Sequence, residues 1–308
     1  MSIDLRAATA DYLTERRARG YRLAAHDWLL AAFLDGLDAS GAVGICVADA
    51  LAFAQARPDT DRRWQAIRLH AVRGLASYVH TLDPSAAELI PAGLIPTKVT
   101  RRIPYLYSHD QVTTILSRTM ALSPPLLAAS IHTLIGLLAT TGLRSGEAVR
   151  LDVDDLSVDQ QVLTVVGKYG RQRLVPLHPT TVQALLDYQQ LRAARAAPTG
   201  ALLVGARGRR LNLNQARAAF RGVVDSCDLP TRPGCGRPRL HDFRHTFAVN
   251  SLIDAHREGA DVDARVAVLA TYLGHVDPIN TYWYLTASPE LMAIVSERIT
   301  SHQSRRRP

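Results

Sequence analysis

Apolar residues recur at intervals of three and four from residue 3 to about residue 82, around Leu5, Leu13, Trp28 to Phe33, Val47 to Phe53 and Trp64 to Val79. That interval is the period of a helix with one apolar face, and Gly20, Gly41 and Pro58 punctuate it, so the pattern predicts about four short helices. Each such helix must bury its apolar stripe against the others, which makes a bundle. The pattern ends at Ile90-Pro91 to Pro96 and the basic stretch Lys98 to Arg102, with the character of a linker. A helical domain over 1–96, a linker over 97–107 and a second domain over 108–308 are therefore expected.

The second half opens with helices again. Ser108-His109-Asp110 is suited to cap a helix over 110–119, and Leu126 to Thr140 is a nearly continuous apolar run that should be buried. Thr141-Gly142 ends that run and places Arg144 just past it. The period then shortens to two: Val162 to Val166 and Arg173 to Leu177 have strand character around Gly167-Lys168-Tyr169-Gly170, a hairpin with Lys168 at its turn. Helices are expected over 180–195, 213–226, 241–256, 262–273, 278–285 and 290–299. The fold class is thus mainly α with a small β-hairpin or sheet, an N-terminal helical bundle preceding a mixed α/β domain.

The 308 residues allow about two domains, and 47% hydrophobic content suffices for real cores. The formal charge of +8 adds information because the basic residues gather at Arg101-Arg102, Arg207 to Arg210, Arg232 to Arg239 and Arg305 to Arg307, which implies a polyanionic partner. Any one such run taken alone is also compatible with a solvated loop. No stretch reaches the roughly 18 apolar residues of a membrane span and the N-terminus lacks a secretory pattern, so no membrane partner and a cytoplasmic location are expected. Cys46, Cys227 and Cys235 are too few and too scattered for a disulfide framework. Cys227 and Cys235, with His241 and His245, stand eight residues apart, which does not match structural zinc sites; no metal or other cofactor is expected.

The candidate chemistry lies in the second half. Arg144 sits in Thr-Gly-Leu-Arg-Ser-Gly-Glu (141–147), His241 and Arg244 in His-Asp-Phe-Arg-His-Thr-Phe-Ala (241–248), and Tyr284 stands nine residues after His275. Cations accompanied by groups that move protons, without a carboxylate pair or a metal-ligand cluster, suit a phosphodiester substrate. Arginine is the natural clamp for it, because its planar fork donates two hydrogen bonds to non-bridging oxygens and keeps its charge. A surface ion pair from Arg144 to Glu147, one turn on, is the plainer alternative. His241 and Arg244 are three apart, so in a helix both project from one face of the first turn, where the dipole also favours an anion. His245 should turn away.

Of 36 basic residues only Lys98 and Lys168 are lysines. An ammonium with a pKa near 10.4 can release a proton to a leaving 5′ oxygen, whereas a guanidinium above about 12.5 cannot. Lys168 is accordingly the candidate general acid, the alternative being a lysine in an exposed turn. His275 follows Leu273-Gly274, where the glycine permits a sharp turn that aims the imidazole back toward a phosphate; a helix-end histidine can equally be a cap or a core residue. Tyr272, Tyr282, Trp283 and Tyr284 crowd this region, and aromatic character alone would signal packing.

The ordered set Arg144, Lys168, His241-x-x-Arg244, His275 and Tyr284 resembles the tyrosine recombinases, the group of phage integrases and Xer-type resolvases. The resemblance covers about 108–300 and rests on four motifs that are specific in combination: Thr-Gly-Leu-Arg-x-x-Glu, Gly-Lys-x-x-x-x-Arg-x-Val-Pro-Leu, His-x-x-Arg-His-Thr-Phe-Ala, and Leu-Gly-His with a tyrosine nine residues on. It implies Tyr284 as nucleophile, with Thr281 matching a threonine usual before it and Tyr272 and Tyr282 out of register. It also implies a 3′-phosphotyrosine intermediate with a free 5′ hydroxyl that attacks the partner strand, without ATP or metal. Arg144 and Arg244 would stabilise the charged phosphorus while His241 and His275 move protons. Residues 1–96 are similar to the family's SAM-like core-binding domain, and the two domains would clamp double-stranded DNA. The expected assembly is a homo-tetramer on two DNA sites, with or without related recombinases, and the expected source is a mobile element. The apolar positions Leu291, Ile294, Val295 and Ile299, ahead of a basic tail, mark a segment that docks on a neighbouring protomer or covers its own core. Two other functions share these residues: a type IB topoisomerase or hairpin-forming resolvase, and a catalytically silent DNA-binding accessory protein.

Overall fold

The computed structural model describes residues 3–21, 23, 25–56, 61–96, 103–167, 170–231 and 234–274. The chain divides into two compact units, Met1–Arg101 and Arg102–Pro308.

In the first unit the four expected helices are α1 (Leu5–Ala18), α2 (His26–Ser40), α3 (Val47–Gln55) and α4 (Arg62–Leu82). Asp4 and Asp61 start α1 and α4 by accepting from backbone N–H groups left unpaired in the first turn. The core is built from stripes at three- and four-residue spacing: Leu29, Leu30, Phe33, Leu34 and Leu37 of α2 meet Val72, Leu75, Ala76 and Val79 of α4. α4 is longer than the short helix expected, because its apolar stripe runs over 21 residues without a proline and Gly74 inside it stays helical.

The second unit is arranged around α6 (Pro125–Thr141), preceded by α5 (His109–Thr119). Ser108 caps α5 in a reciprocal box with Gln111. Ile131, Leu134, Ile135 and Leu138 of α6 are fully buried, in line with the continuous apolar run. After the single-turn helix α7 (Ser145–Ala148) come β1 (Leu156–Ser157), β2 (Val162–Val166) and β3 (Gln172–Pro176) in one antiparallel sheet of order β1-β2-β3. The hairpin is therefore present, with Val162 opposite Pro176 and Val166 opposite Gln172, one residue earlier in its second strand than the alternation indicated. β1 and α7 were not expected: two and four residues are too short to show a period. Then follow α8 (Pro179–Ala193), α9 (Leu213–Asp225), α10 (Asp242–Arg257) and α11 (Val262–Leu273). The helices expected over 278–285 and 290–299 lie outside the described residues.

Tyr105 and Tyr107, within the stretch read as the end of the linker, belong to the core of the second unit. Tyr105 and Tyr107 are buried, and Tyr107 stacks on Phe243 with ring centroids 4.3 Å apart. The Tyr107 backbone N–H also donates to Thr246 Oγ1 at 3.0 Å, which fastens this segment to α10. Among the described residues no helix is long and apolar enough to cross a membrane.

Candidate active site

Gly142 ends α6 in the left-handed region, at φ +61°, and a Cβ there would come within 2.5 Å of the Phe247 ring on α10. Only glycine combines that backbone with so close an approach. The chain then passes through the buried Leu143 to Arg144, whose extended backbone starts α7. Arg144 is held by its neighbour one turn on: its backbone N–H donates to Glu147 Oε2 at 3.0 Å and its Nη1 to Glu147 Oε1 at 2.8 Å. The ion pair allowed for in the sequence is present, yet the side chain of Arg144 remains one-third exposed and reaches further, its Nη2 donating to the Gly274 carbonyl at 3.3 Å.

Arg244, on the first turn of α10, is 1% exposed. Its Nη1 donates to the Gly142 carbonyl at 2.9 Å and its Nη2 to the Leu273 carbonyl at 2.7 Å. These carbonyls close α6 and α11, where unpaired C=O groups carry the negative end of the helix dipole, so they offset part of the cost of burying a guanidinium.

A third arginine completes the arrangement. Arg173 of β3 donates from Nε to the Tyr272 carbonyl at 2.9 Å, and from Nη1 and Nη2 to the two Glu147 carboxylate oxygens at 3.3 and 2.8 Å. Three consecutive carbonyls at the end of α11, those of Tyr272, Leu273 and Gly274, thus receive Arg173, Arg244 and Arg144. Gly274 stands at φ +67°, and a Cβ on it would lie 3.2 Å from Arg173 Nη1. Burial by itself would raise the Glu147 pKa. The hydrogen bond and charge of Arg173 and the donors of Arg144 outweigh it and hold the carboxyl at about 2, well below its ordinary 4.5.

His241 immediately precedes α10 rather than lying within it. Its pKa is pushed down to about 4, first by burial and then by the nearby cations Arg244, Arg239 and Arg144, with Glu147 opposing. At neutral pH the imidazole is uncharged and has one nitrogen to donate and one to accept. His245, expected to turn away, sets its ring edge-on to that of His241 at 4.9 Å, because positions four apart are neighbours on a helix. Arg239 pairs with the buried Asp242 at 2.8 Å and anchors the start of α10.

Arg144, His241 and Arg244 are therefore brought together, whereas Lys168, His275 and Tyr284 lie outside the described residues. Tyr272 is a packing residue: it stacks on Phe247 at 5.5 Å, and burial raises its phenol to about 12. Arg173 escaped the sequence reading as a site residue. Its signal was the alternation of β3, in which Arg173 faces the same side as the buried Val175, while Leu174 between them is exposed. An arginine at an inward strand position needs a carboxylate partner. Elsewhere on this unit, Arg207, Arg209 and Arg210 line an open cleft with Arg195. Among the described residues no group of three or more His, Cys, Asp or Glu side chains is placed to hold a metal ion.

Residues 106–290 match the phage integrase family. A protein of Sinorhizobium fredii named as an integrase/recombinase is 35% identical over 303 residues, 96% of either chain. Tyrosine recombinase XerC of Mycobacterium tuberculosis is 31% identical over 250 residues, 79% of this chain and 77% of the other. In fold, the chain is similar to a lambda integrase solved as a tetramer bound to a Holliday junction, with a TM-score of 0.63 and 16% identity over 92% of this chain and 77% of that one.

Proposed function

This chain belongs to the phage integrase family and is a site-specific DNA recombinase of the tyrosine type, and we propose that it cuts each strand with the Tyr284 phenol on a phosphate clamped by Arg144 and Arg244. The Tyr284 oxygen bonds to phosphorus and the bond to the 5′ oxygen breaks, leaving a 3′-phosphotyrosine and a 5′ hydroxyl. The phenolic proton passes to the neutral His241, and Lys168 supplies the proton that the leaving 5′ oxygen takes up. His275 donates a hydrogen bond to the same phosphate. The 5′ hydroxyl of the partner strand then attacks the phosphotyrosine and restores the free tyrosine. One phosphodiester replaces another, so the reaction needs no energy source.

The observation that carries this reading is the convergence of two guanidiniums on the end of α11, with an uncharged imidazole near enough to both to be shifted by their charge. Fixed cations aimed at charge that develops on phosphorus stabilise the transition state without reorganising at the moment of reaction. The arginine-lined cleft at Arg195 and Arg207 to Arg210 offers further phosphate contacts along a duplex. A tetramer on two duplex sites, action in the cytoplasm and carriage by a mobile element complete the proposal, with residues 1–96 as the second half of the DNA clamp.

A supercoiled plasmid bearing two copies of the DNA that flanks the gene tests it. Exchange between the copies, giving recombinant circles, is the expected result. Relaxation without exchange would indicate a topoisomerase, and binding without cleavage an accessory protein.

A further inference from the structure

Arg173 touches Glu147 and the end of α11, and it does so from a different element. Its Nη groups fill the two oxygens of Glu147, each of which also takes a donor of Arg144: Oε1 receives Arg144 Nη1 at 2.8 Å and Oε2 receives the Arg144 backbone N–H at 3.0 Å. Four donors thus converge on one buried carboxylate, whose single negative charge is divided between two guanidiniums. Its Nε meanwhile holds the Tyr272 carbonyl, two residues before the Gly274 carbonyl that receives Arg144 Nη2. One planar side chain therefore sets α7, β3 and the end of α11 in register.

Two consequences follow for Arg144. Without Arg173 the whole carboxylate charge would fall on Arg144 and weaken its attraction for a phosphate. The Glu147 oxygens and the end of α11 would also lose the tie that keeps Arg144 aimed, and a displacement of about 1 Å at a reacting group can cost about 10²-fold in rate. A fully hydrogen-bonded network around a functional arginine fixes its rotamer in this way.

We propose that Arg173 is a positioning residue for strand cleavage, acting through Glu147 and the α11 end to hold the Arg144 guanidinium in place and charged toward the phosphate. The proposal rests on the reading that Arg144 grips the phosphate under attack. Arg173 itself touches no reacting atom.

The test is a double-mutant cycle in the full chain, with single-turnover covalent attachment to a nicked duplex cut from the flanking DNA as the rate, and with DNA affinity and Tm measured alongside. Arg173→Met is expected to slow attachment about 10²-fold with DNA affinity retained. In an Arg144→Ala background the same change is expected to cost no further rate. Arg173→Lys restores a charge but cannot span both carboxylate oxygens and the Tyr272 carbonyl, so it is expected to recover Tm and leave the rate low. If Arg173→Met fails to fold, the cycle is run with the lysine variant. An equal loss with and without Arg144, or attachment at the wild-type rate in either variant, would overturn the proposal. Wild-type attachment that survives Arg144→Ala unchanged would instead overturn the underlying reading of the site.

Discussion

Arg244 donates to the Leu273 carbonyl at 2.7 Å, and that bond holds the first turn of α10 against the last turn of α11. The same guanidinium reaches the Gly142 carbonyl from its other Nη, so one buried cation closes two helix ends. Lysine offers a point charge that cannot take both directions. Arg244→Lys is expected to slow covalent attachment by about 10²–10³-fold and to lower stability by about 1–3 kcal/mol, since a buried carbonyl loses its partner. Single-turnover cleavage and urea unfolding measure the two effects separately.

Glu147 should matter to the fold as well as to Arg144. Replacing it with glutamine removes the charge that compensates two guanidiniums, and breaking a buried pair costs about 3–5 kcal/mol. The pH dependence gives the sign. The folded carboxyl sits near 2 against an ordinary 4.5, so its contribution is present above about 4.5 and is lost as pH falls toward 2. Glu147→Gln is expected to be much less stable than wild type at pH 7, with the gap narrowing below pH 4.5 in denaturant unfolding.

His241 works in the same direction for the opposite reason. Its folded pKa of about 4 lies below the ordinary 6.5, so the unfolded chain binds the proton first and stability falls as pH drops from 6.5 to 4. His241→Gln is expected to flatten that slope, removing a pH dependence worth about 3 kcal/mol across the window. Urea midpoints at half-unit pH steps would show it, and an unchanged slope would mean that the imidazole is not held neutral.

Arg144, His241 and Arg244 were legible in the chain because they stand where one periodic pattern gives way to another. Gly142 ends an apolar run and Arg144 follows it; His241 and Arg244 open a helix; Gly274 ends α11 at the boundary the period indicated. Arg173 was legible only as an inward strand position, because its partners Glu147 and Tyr272 are 26 and 99 residues away and no local period links them. The tight ends of the fold were missed for a related reason. β1 is too short to alternate, and the segment at Tyr105 and Tyr107 looks like linker until Phe243 and Thr246, far along the chain, supply its packing partners.

The most direct measurement is covalent trapping on a nicked duplex from the flanking DNA, comparing the wild-type chain with Tyr284→Phe and Tyr282→Phe. Wild type and Tyr282→Phe are expected to form a detergent-stable protein–DNA adduct whose peptide map carries the 3′-phosphate on Tyr284, and Tyr284→Phe is expected to form none. An adduct that persists in Tyr284→Phe, or that maps to another residue, would contradict the assignment of the nucleophile.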